Sequence, residues 1–426
     1  MALLIMFLAM AALVMINVPI AIALGVVGIV AMVAAGGIDT LVNLPLIMFS
    51  GATSFPLLAI PLFILAGAIM NSTGISRRLI AFASALLGFV RGGLSMVNIG
   101  ASMFFAEISG SAVADVAALG SILIPAMKKK GYPAAFSAAV TSSSASLAII
   151  IPPSIPMILY AAMSDSSVVQ LFVAGIVPGI IGGVAMMALA YWFAVRYHYP
   201  VEEVFQLKRL WSTFKDAGLA FLLPFIILGG IFGGLVTATE GAGLAVLAAM
   251  VIGLIYRELD WQHLKKAIID GGIQTAVVML LVAASALLGT YLTEAQVPQD
   301  LARAISTWTN DPIVVLALLN VFFLAIGLFL HSAAAIILVV PIVMPLINTV
   351  GIDPVHFGVI VTLNLAIGQQ TPPVASVLIT ACSIAKTDIW SVSKINIYFI
   401  AVLLSVLLLV TYVPIVPMGL VELFYR

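Results

Sequence analysis

The stretch "IIIPPSIPMILYA", Ile149 to Ala161, decides the fold, because "GQQTPPVASVLITA", Gly368 to Ala381, repeats it about 220 residues further on. In each, a proline pair (Pro152-Pro153, Pro372-Pro373) ends an apolar run. Proline lacks an amide donor and its ring clashes with the preceding turn, so a helix is expected to break near Ile149–Ser154 and again at Gly368–Pro373. Outward from these breaks, Gly131 aligns with Gly351, Pro125 with Pro345, Pro133 with Pro354 and Phe136 with Phe357. Ser111-Ala112 aligns with Ser332-Ala333, Ser144 with Asn364, Gly67 with Gly289 and Leu79 with Leu301. Single matches are weak in a chain rich in Gly and Ala, but these are colinear. The chain is therefore read as two repeats, 1–210 and 217–426, joined by the polar segment "EEVFQLKRLWSTFKD".

The composition fixes the solvent of these repeats. Of 426 residues 63% are hydrophobic and 8% charged, against about 25% charged in an ordinary soluble domain. Lipid must cover that much apolar surface, so the chain is an all-α polytopic membrane protein. Windows such as Ala2–Ile16, Phe221–Val236 and Ile397–Val410 suit helices, not the short alternating strands of a barrel. The apolar start has no basic region of a cleaved signal peptide and is read as a retained span. Zero formal net charge gives no basic face for nucleic acid, and the lone Cys382 excludes a disulfide framework or a cysteine metal site. The four histidines (His198, His263, His331, His356) are far apart and make no HExxH pair.

Charge placement orients the repeats. Arg77, Arg78, Arg91 and Lys128-Lys129-Lys130 cluster in the first, whereas Ala304 to Ala385 contains no Lys or Arg. By the positive-inside rule the equivalent loops face opposite sides, and an inverted-topology repeat is the usual plan of secondary transporters. The first repeat is expected to cross at Ala2–Ile16, Val18–Ala35, Phe55–Asn71, a broken span 133–163 and Leu171–Tyr197; the second repeats the pattern, with its broken span at 354–385. Both termini and Asp353 then fall outside, and Lys128–Lys130 inside. Asp39–Ser54 and Asp260–Asp270 are too mixed to span and are read as interfacial arms bracing a fixed part made of Ala2–Ala35 and Phe221–Tyr256.

Between Gly92 and Met127 the chain leaves and returns to the basic side, with "AEISGSAVADV" (Ala106–Val116) at its midpoint. Each limb covers about 25 Å at ~1.5 Å per residue, short for a full span with loops. A re-entrant hairpin over 92–127 is expected, its tip at Ser109-Gly110-Ser111. Its counterpart is a hairpin over 312–347 with limbs Ile313–Leu330 and Ala333–Leu346 and Ser332 at the tip. Non-helical backbone at membrane depth is tolerated only where it is buried in protein or lines a wet cavity. Two tips and two breaks related by inversion converge near the midplane, where freed carbonyls and Ser, Thr, Asn or Gln oxygens suit Na⁺ and helix N-termini suit an anion. The absence of a His/Asp relay favours Na⁺ over proton coupling. An isolated Ser such as Ser95 or Ser285 only lets helices approach. Glu107 and Asp115 are costly in lipid and are read as braces of the hairpin, Glu240 as a helix-end residue and the triple Lys as a topology anchor.

At "SGSAVADVAALGSILIPAMKKKGY", "IIPPSIPMILYA" and "HFGVIVTLNLAIGQQTPPV" the chain resembles, over essentially its whole length, the large (DctM-like) membrane subunit of TRAP transporters, the tripartite ATP-independent periplasmic class. The resemblance implies a Na⁺-driven elevator carrier of organic acids in a bacterial inner membrane, not an enzyme. It implies a small four-helix membrane subunit and a soluble periplasmic binding protein as partners, and C4-dicarboxylates or sialic acids as substrates. It also implies Na⁺ sites between each hairpin and its broken helix: Ser109, Gly110, Ser111, Ser142, Ser143, Ser144 and Pro152 in one half. Ser332, Asn364, Gly368, Thr371 and Pro372 are their counterparts in the other. Substrate contacts are expected from Ser109, Ser111, Ser144, Ser154, His331 and Gln370. His331 departs from the family, where an acidic or small residue is expected. The competing readings are a channel, which blocked half-sites disfavour, and an intramembrane enzyme, for which neither a GxSG with a histidine partner nor a GxGD is found. A third is a self-sufficient dicarboxylate carrier of the same elevator plan.

Overall fold

A computed structural model describes residues 6, 8–10, 12, 13, 16, 18–201, 205–372 and 375–425, with the backbone alone at 107–109. Most of the expected span Ala2–Ile16, and Pro373, lie outside the described residues. The first repeat begins with α1 (Ile20–Gly36), a 3-10 turn (Ile38–Asn43), α2 (Leu44–Ala52), a second 3-10 turn (Phe55–Leu58) and α3 (Ala59–Ser72). It continues through α4 (Ile75–Leu87), α5 (Gly93–Ser109), α6 (Ala112–Asp115), a π turn (Val116–Gly120) and α7 (Ser121–Lys129). α8 (Ala134–Ala145) with a 3-10 extension (Ser146–Ile149), α9 (Ile155–Ser164) and α10 (Val168–Arg196) complete it. The second contains α11 (Leu207–Phe232), α12 (Ala238–Ile255), α13 (Trp261–Glu294), α14 (Val297–Trp308) and α15 (Pro312–Gly327). It ends with α16 (Ser332–Thr349), α17 (Pro354–Gly368), α18 (Ser376–Ala385), α19 (Ile389–Tyr412) and α20 (Ile415–Tyr425).

Seven helices among the described residues are long and apolar enough to cross a membrane, by length and composition. One is α16, a hairpin limb. The broken spans α8/α9 and α17/α18 divide a crossing between two short helices, as the proline pairs require. The hairpins return because their first limbs run parallel to the broken helices. Asn98 of α5 meets Thr141 of α8, and one turn on Ser102 meets Ser144. Likewise Asn320 of α15 meets Asn364 of α17, and further along Gly327 meets Gly368. Parallel neighbours start on the same side, so the chain that enters at Gly92 must be back there by Pro133.

Bonds at the two faces agree with inversion. Arg78 pairs with Glu258 (2.8 Å) and Lys128 Nζ donates to the carbonyl of Ala385 (2.7 Å), joining loops that the charge argument puts on one side. Tyr160 donates to Pro354 O, Thr239 to Phe55 O and Tyr425 to Phe232 O, joining loops on the other. Lys128 is thus more than a topology anchor: it caps the carbonyl end of α18, where a cation is favoured. Glu240 closes a capping box with Thr237 at the start of α12, as a helix-end residue should.

Two groups result. α1, α2, α3, α11, α12 and α13 pack on one another, and the hairpins, broken helices, α10, α19 and α20 pack among themselves, the two groups sharing one continuous apolar core. The short helices α4 and α14 connect them. One expectation fails. Asp39–Ser54 is a separate arm, but Asp260–Asp270 is not: Asp260 caps α13, and the rest of that segment is the first part of one 34-residue helix, about 51 Å long. No proline interrupts it.

Candidate ion and substrate site

The polar residues of the first hairpin and its broken helix are placed by helix geometry. Asn98 and Ser102 lie four apart on α5 and face Thr141 and Ser144, three apart on α8, so one face of each helix carries oxygen and nitrogen. Asn98 Nδ2 donates to Thr141 Oγ1 at 2.6 Å, Ser102 and Ser144 share a hydrogen bond of 2.8 Å, and Ser144 reaches Asn98 Oδ1 at 3.4 Å. All four are fully buried. Ser142 Oγ, on the next face of α8, has no protein partner. Unpaired buried hydroxyls cost free energy unless a ligand or water completes them.

The second half builds the same unit with amides. Asn364 Nδ2 donates to Asn320 Oδ1 at 2.7 Å, and Asn320 Nδ2 donates to Thr411 Oγ1 at 3.1 Å. Asn364 Oδ1 and Gln370 Oε1 are buried and without protein partners, two acceptors free for a hard cation. Asn98 and Asn320 were missed in the sequence reading. Their signal was there: both are lone asparagines in apolar limbs, at matching places in the repeats.

At the breaks the backbones come close. Gly110, at φ +56°, takes the left-handed turn of the first tip, which a side chain disfavours. A Cβ there would stand 3.1 Å from Pro153 O and Ile155 N, so the tip rests on the break between α8 and α9. In the second half, a Cβ on Gly368 would come within 2.5 Å of the Gly327 backbone. The equivalent positions in the first half, Ala106 and Ala148, are fully buried small residues.

Both tips open onto one cavity of about 60 Å³. It is lined by Gly110, Ser111 and Ala112 from the first tip and His331, Ser332 and Ala333 from the second. Ile149, Ile155 and Pro156 border the first break, Gln369 the second, and Val278 comes from α13. The volume holds a few waters or ions and is far below the ~300 Å³ of a small-molecule pocket.

Sequence-predicted residues divide between these places. Ser111, Gly110, His331 and Ser332 line the cavity. Ser144 is turned toward α5, and Ser143 toward α19, where it donates to Asn396 Oδ1 at 2.6 Å. Ser154 donates to Ile149 O and caps α9 through Met157 N. Pro152 borders an apolar crevice between α4, α5 and α10, away from both tips. Gln370 donates to Ala366 O and lies off the cavity wall; its neighbour Gln369 is on it, with Nε2 unpaired. Thr371 Oγ1 donates to Ile367 O, and Pro372 follows in the turn. The side chains of Ser109 and Glu107 lie outside the described residues; Asp115 is fully buried behind the tip.

The family described as "Tripartite ATP-independent periplasmic transporter, DctM component" matches residues 7–416. The isethionate TRAP transporter permease protein DctMQ of Oleidesulfovibrio alaskensis is 41% identical over 95% of this chain, which spans 64% of that relative's length. The C4-dicarboxylate TRAP transporter large permease protein DctM of Pseudomonas aeruginosa is 37% identical, covering 90% of each chain. The sialic acid TRAP transporter large permease protein SiaM of Vibrio cholerae is 36% identical, covering 88% of each. Among solved structures, the Alcanivorax borkumensis YdaH transporter superposes with a TM-score of 0.65 at 15% identity, covering 91% of this chain and 90% of that one. That likeness is one of fold.

Proposed function

From the premise that this chain belongs to the DctM-component family of tripartite ATP-independent periplasmic transporters, we propose that it imports an organic acid anion by Na⁺ symport with an elevator motion. It is a permease subunit and not an enzyme. The observation that carries the proposal is the small cavity lined by both tips, together with buried oxygens without protein partners in both halves. Na⁺ needs oxygen ligands and little space. Ser142, Asn364 and Gln370 supply side-chain acceptors beside the breaks, where proline and helix ends free further carbonyls. The N-termini of the helices after each tip face the same cavity, a favourable place for a carboxylate or sulfonate.

A cavity this small must widen to take an organic acid. Since both repeats enclose it, access from one side at a time requires the hairpin-bearing cluster to move against α1–α3 and α11–α13. Val278 is the scaffold's contribution to the wall. Apolar side chains exposed along the scaffold, such as Val30, Phe225 and Leu247, suit lipid and the docking of a small membrane subunit. The relatives are named for isethionate, C4-dicarboxylates and sialic acid. The shared chemistry is a small organic anion, delivered by a periplasmic binding protein to a permease in the inner membrane.

Reconstitution in liposomes tests this. With an inward Na⁺ gradient, binding protein and small subunit, a radiolabelled acid from these classes should accumulate. Replacing Na⁺ by K⁺ should abolish accumulation; uptake that is indifferent to the exchange sinks Na⁺ coupling. Full uptake by this chain alone would instead support the self-sufficient carrier.

A further inference from the structure

Asn396 stands in the first part of α19, two residues after Lys394, and is fully buried. Its Oδ1 accepts the Ser143 hydroxyl of the first broken helix at 2.6 Å, and its Nδ2 donates to the Gln370 carbonyl at the second break at 3.2 Å. The amide orientation is forced, since the carbonyl can only accept and must meet the NH₂. One side chain thus spans the two repeats. On one side lies Ser143, between Ser142 with its unpaired hydroxyl and Ser144 in the Asn98 network. On the other lies Gln370, whose Oε1, like the Oδ1 of Asn364 earlier in the same segment, is buried and unpaired.

The repeats show that this is an addition. α10 and α19 begin at equivalent caps, Ser167 and Asp388, so Asn396 corresponds to Gly175. Gly175 lies against the carbonyl of Ile150, the counterpart of Gln370, and a Cβ there would collide with that oxygen. In one half the freed carbonyl is covered by bare backbone; in the other it is held by an amide that also grips the opposite half. Inversion did not require the second grip.

We infer that Asn396 is a positioning residue that ties the two ion half-sites together, so that ordering one break orders the other. The inference rests on the Na⁺ reading above. When Na⁺ draws in the oxygens beside Ser143, Asn396 is held against Gln370 O, which fixes the backbone that presents the second set of acceptors. Such a link makes binding at the two sites reciprocal.

The experiment is Na⁺ titration of uptake by the complete reconstituted system, comparing wild type with Asn396→Leu, Ser143→Ala, the double variant and Ser143→Thr. Wild type should respond steeply. Asn396→Leu and Ser143→Ala should each flatten the curve and raise half-saturating Na⁺ about fivefold or more, the low end of coupling between sites. The double variant should be no worse than Asn396→Leu, because both changes cut one bridge, and Ser143→Thr, which keeps the donor, should restore the wild-type curve. A general packing defect would lower maximal uptake in all variants without changing steepness. Should Asn396→Leu fail to accumulate, Ser143→Ala with Ser143→Thr decides. Wild-type uptake without Na⁺ dependence would remove the underlying reading. A Na⁺-dependent wild type whose curve is unchanged in Ser143→Ala, or hyperbolic from the start, would overturn the bridge alone.

Discussion

In the first repeat the scaffold passes from α2 to α3 through Thr53–Leu58, where helix gives way to a 3-10 turn containing Pro56. In the second, the same length of chain is the uninterrupted α13. The Gly67–Gly289 alignment puts Val278 opposite Pro56. Both positions face the hairpin-bearing cluster: the turn at Pro56 packs on α9, and Val278 lines the cavity between the tips. One scaffold face is interrupted and the other is a continuous helix. The repeats share topology, but helix continuity differs between their scaffolds, with a proline in the turn on one side and none along α13 on the other.

The strongest way to break this comparison is to exchange the two properties. Val278→Pro places a proline inside α13 and should destabilise the protein by about 3 kcal/mol or more. Pro56→Ala removes no hydrogen bond and should change stability by roughly 1 kcal/mol or less. Thermal unfolding of the purified protein measures both, and equal effects would mean that the continuity of α13 carries no weight.

A smaller effect separates the two limb contacts. Gly368→Ala drives a methyl into the Gly327 backbone, which cannot rotate away, and should cost about 1–3 kcal/mol. Ala148→Gly, at the matching position, should cost about 0.5–1 kcal/mol, the loss of helical restraint. Uptake should fall further in the first than in the second, since the α15–α17 contact holds Asn320 against Asn364. If the two variants unfold at one temperature, the closer approach seen in the second half is not a constraint.

The smallest effect sits at the face where charges lie. Arg78 holds the Glu258 carboxyl below its ordinary value by a side-chain hydrogen bond, against a smaller opposing desolvation, and links α4 to the loop after α12. A depressed folded-state pKa stabilises above the ordinary value near 4.5 and ceases to as pH falls through the folded value. The pair is partly exposed, so its contribution is under about 1 kcal/mol. Stability measured from pH 7 downward should therefore decline slightly more steeply below pH 4.5 in wild type than in Arg78→Met. The second repeat offers a control: at the position matching Arg78 it has Asp300, paired within its own helix to Arg303.

Proline pairs, a Ser-Gly-Ser tip and a block of lysines are conspicuous in an apolar chain because each costs free energy in lipid and must be placed where protein or water satisfies it. Those costs made the two repeats, their inversion, the hairpins and the breaks legible without coordinates. The same reasoning located the tips, and Gly110, Ser111, His331 and Ser332 do meet at one cavity. It did not tell Gln369 from its neighbour, nor turn Ser144 toward α5 and Ser143 toward α19. It also read Asp260–Asp270 as a separate arm. A break in a helix has no defined period, so the rotation of side chains after it depends on what packs there: Gly327 against Gly368, Gly110 against Pro153. Contacts such as Asn396 with Ser143, 253 residues apart, exist only once the two halves have closed on each other. Composition and repeat symmetry determined where polar groups must gather; the packing of one inverted half on the other decided which oxygens face the cavity and which hold it together.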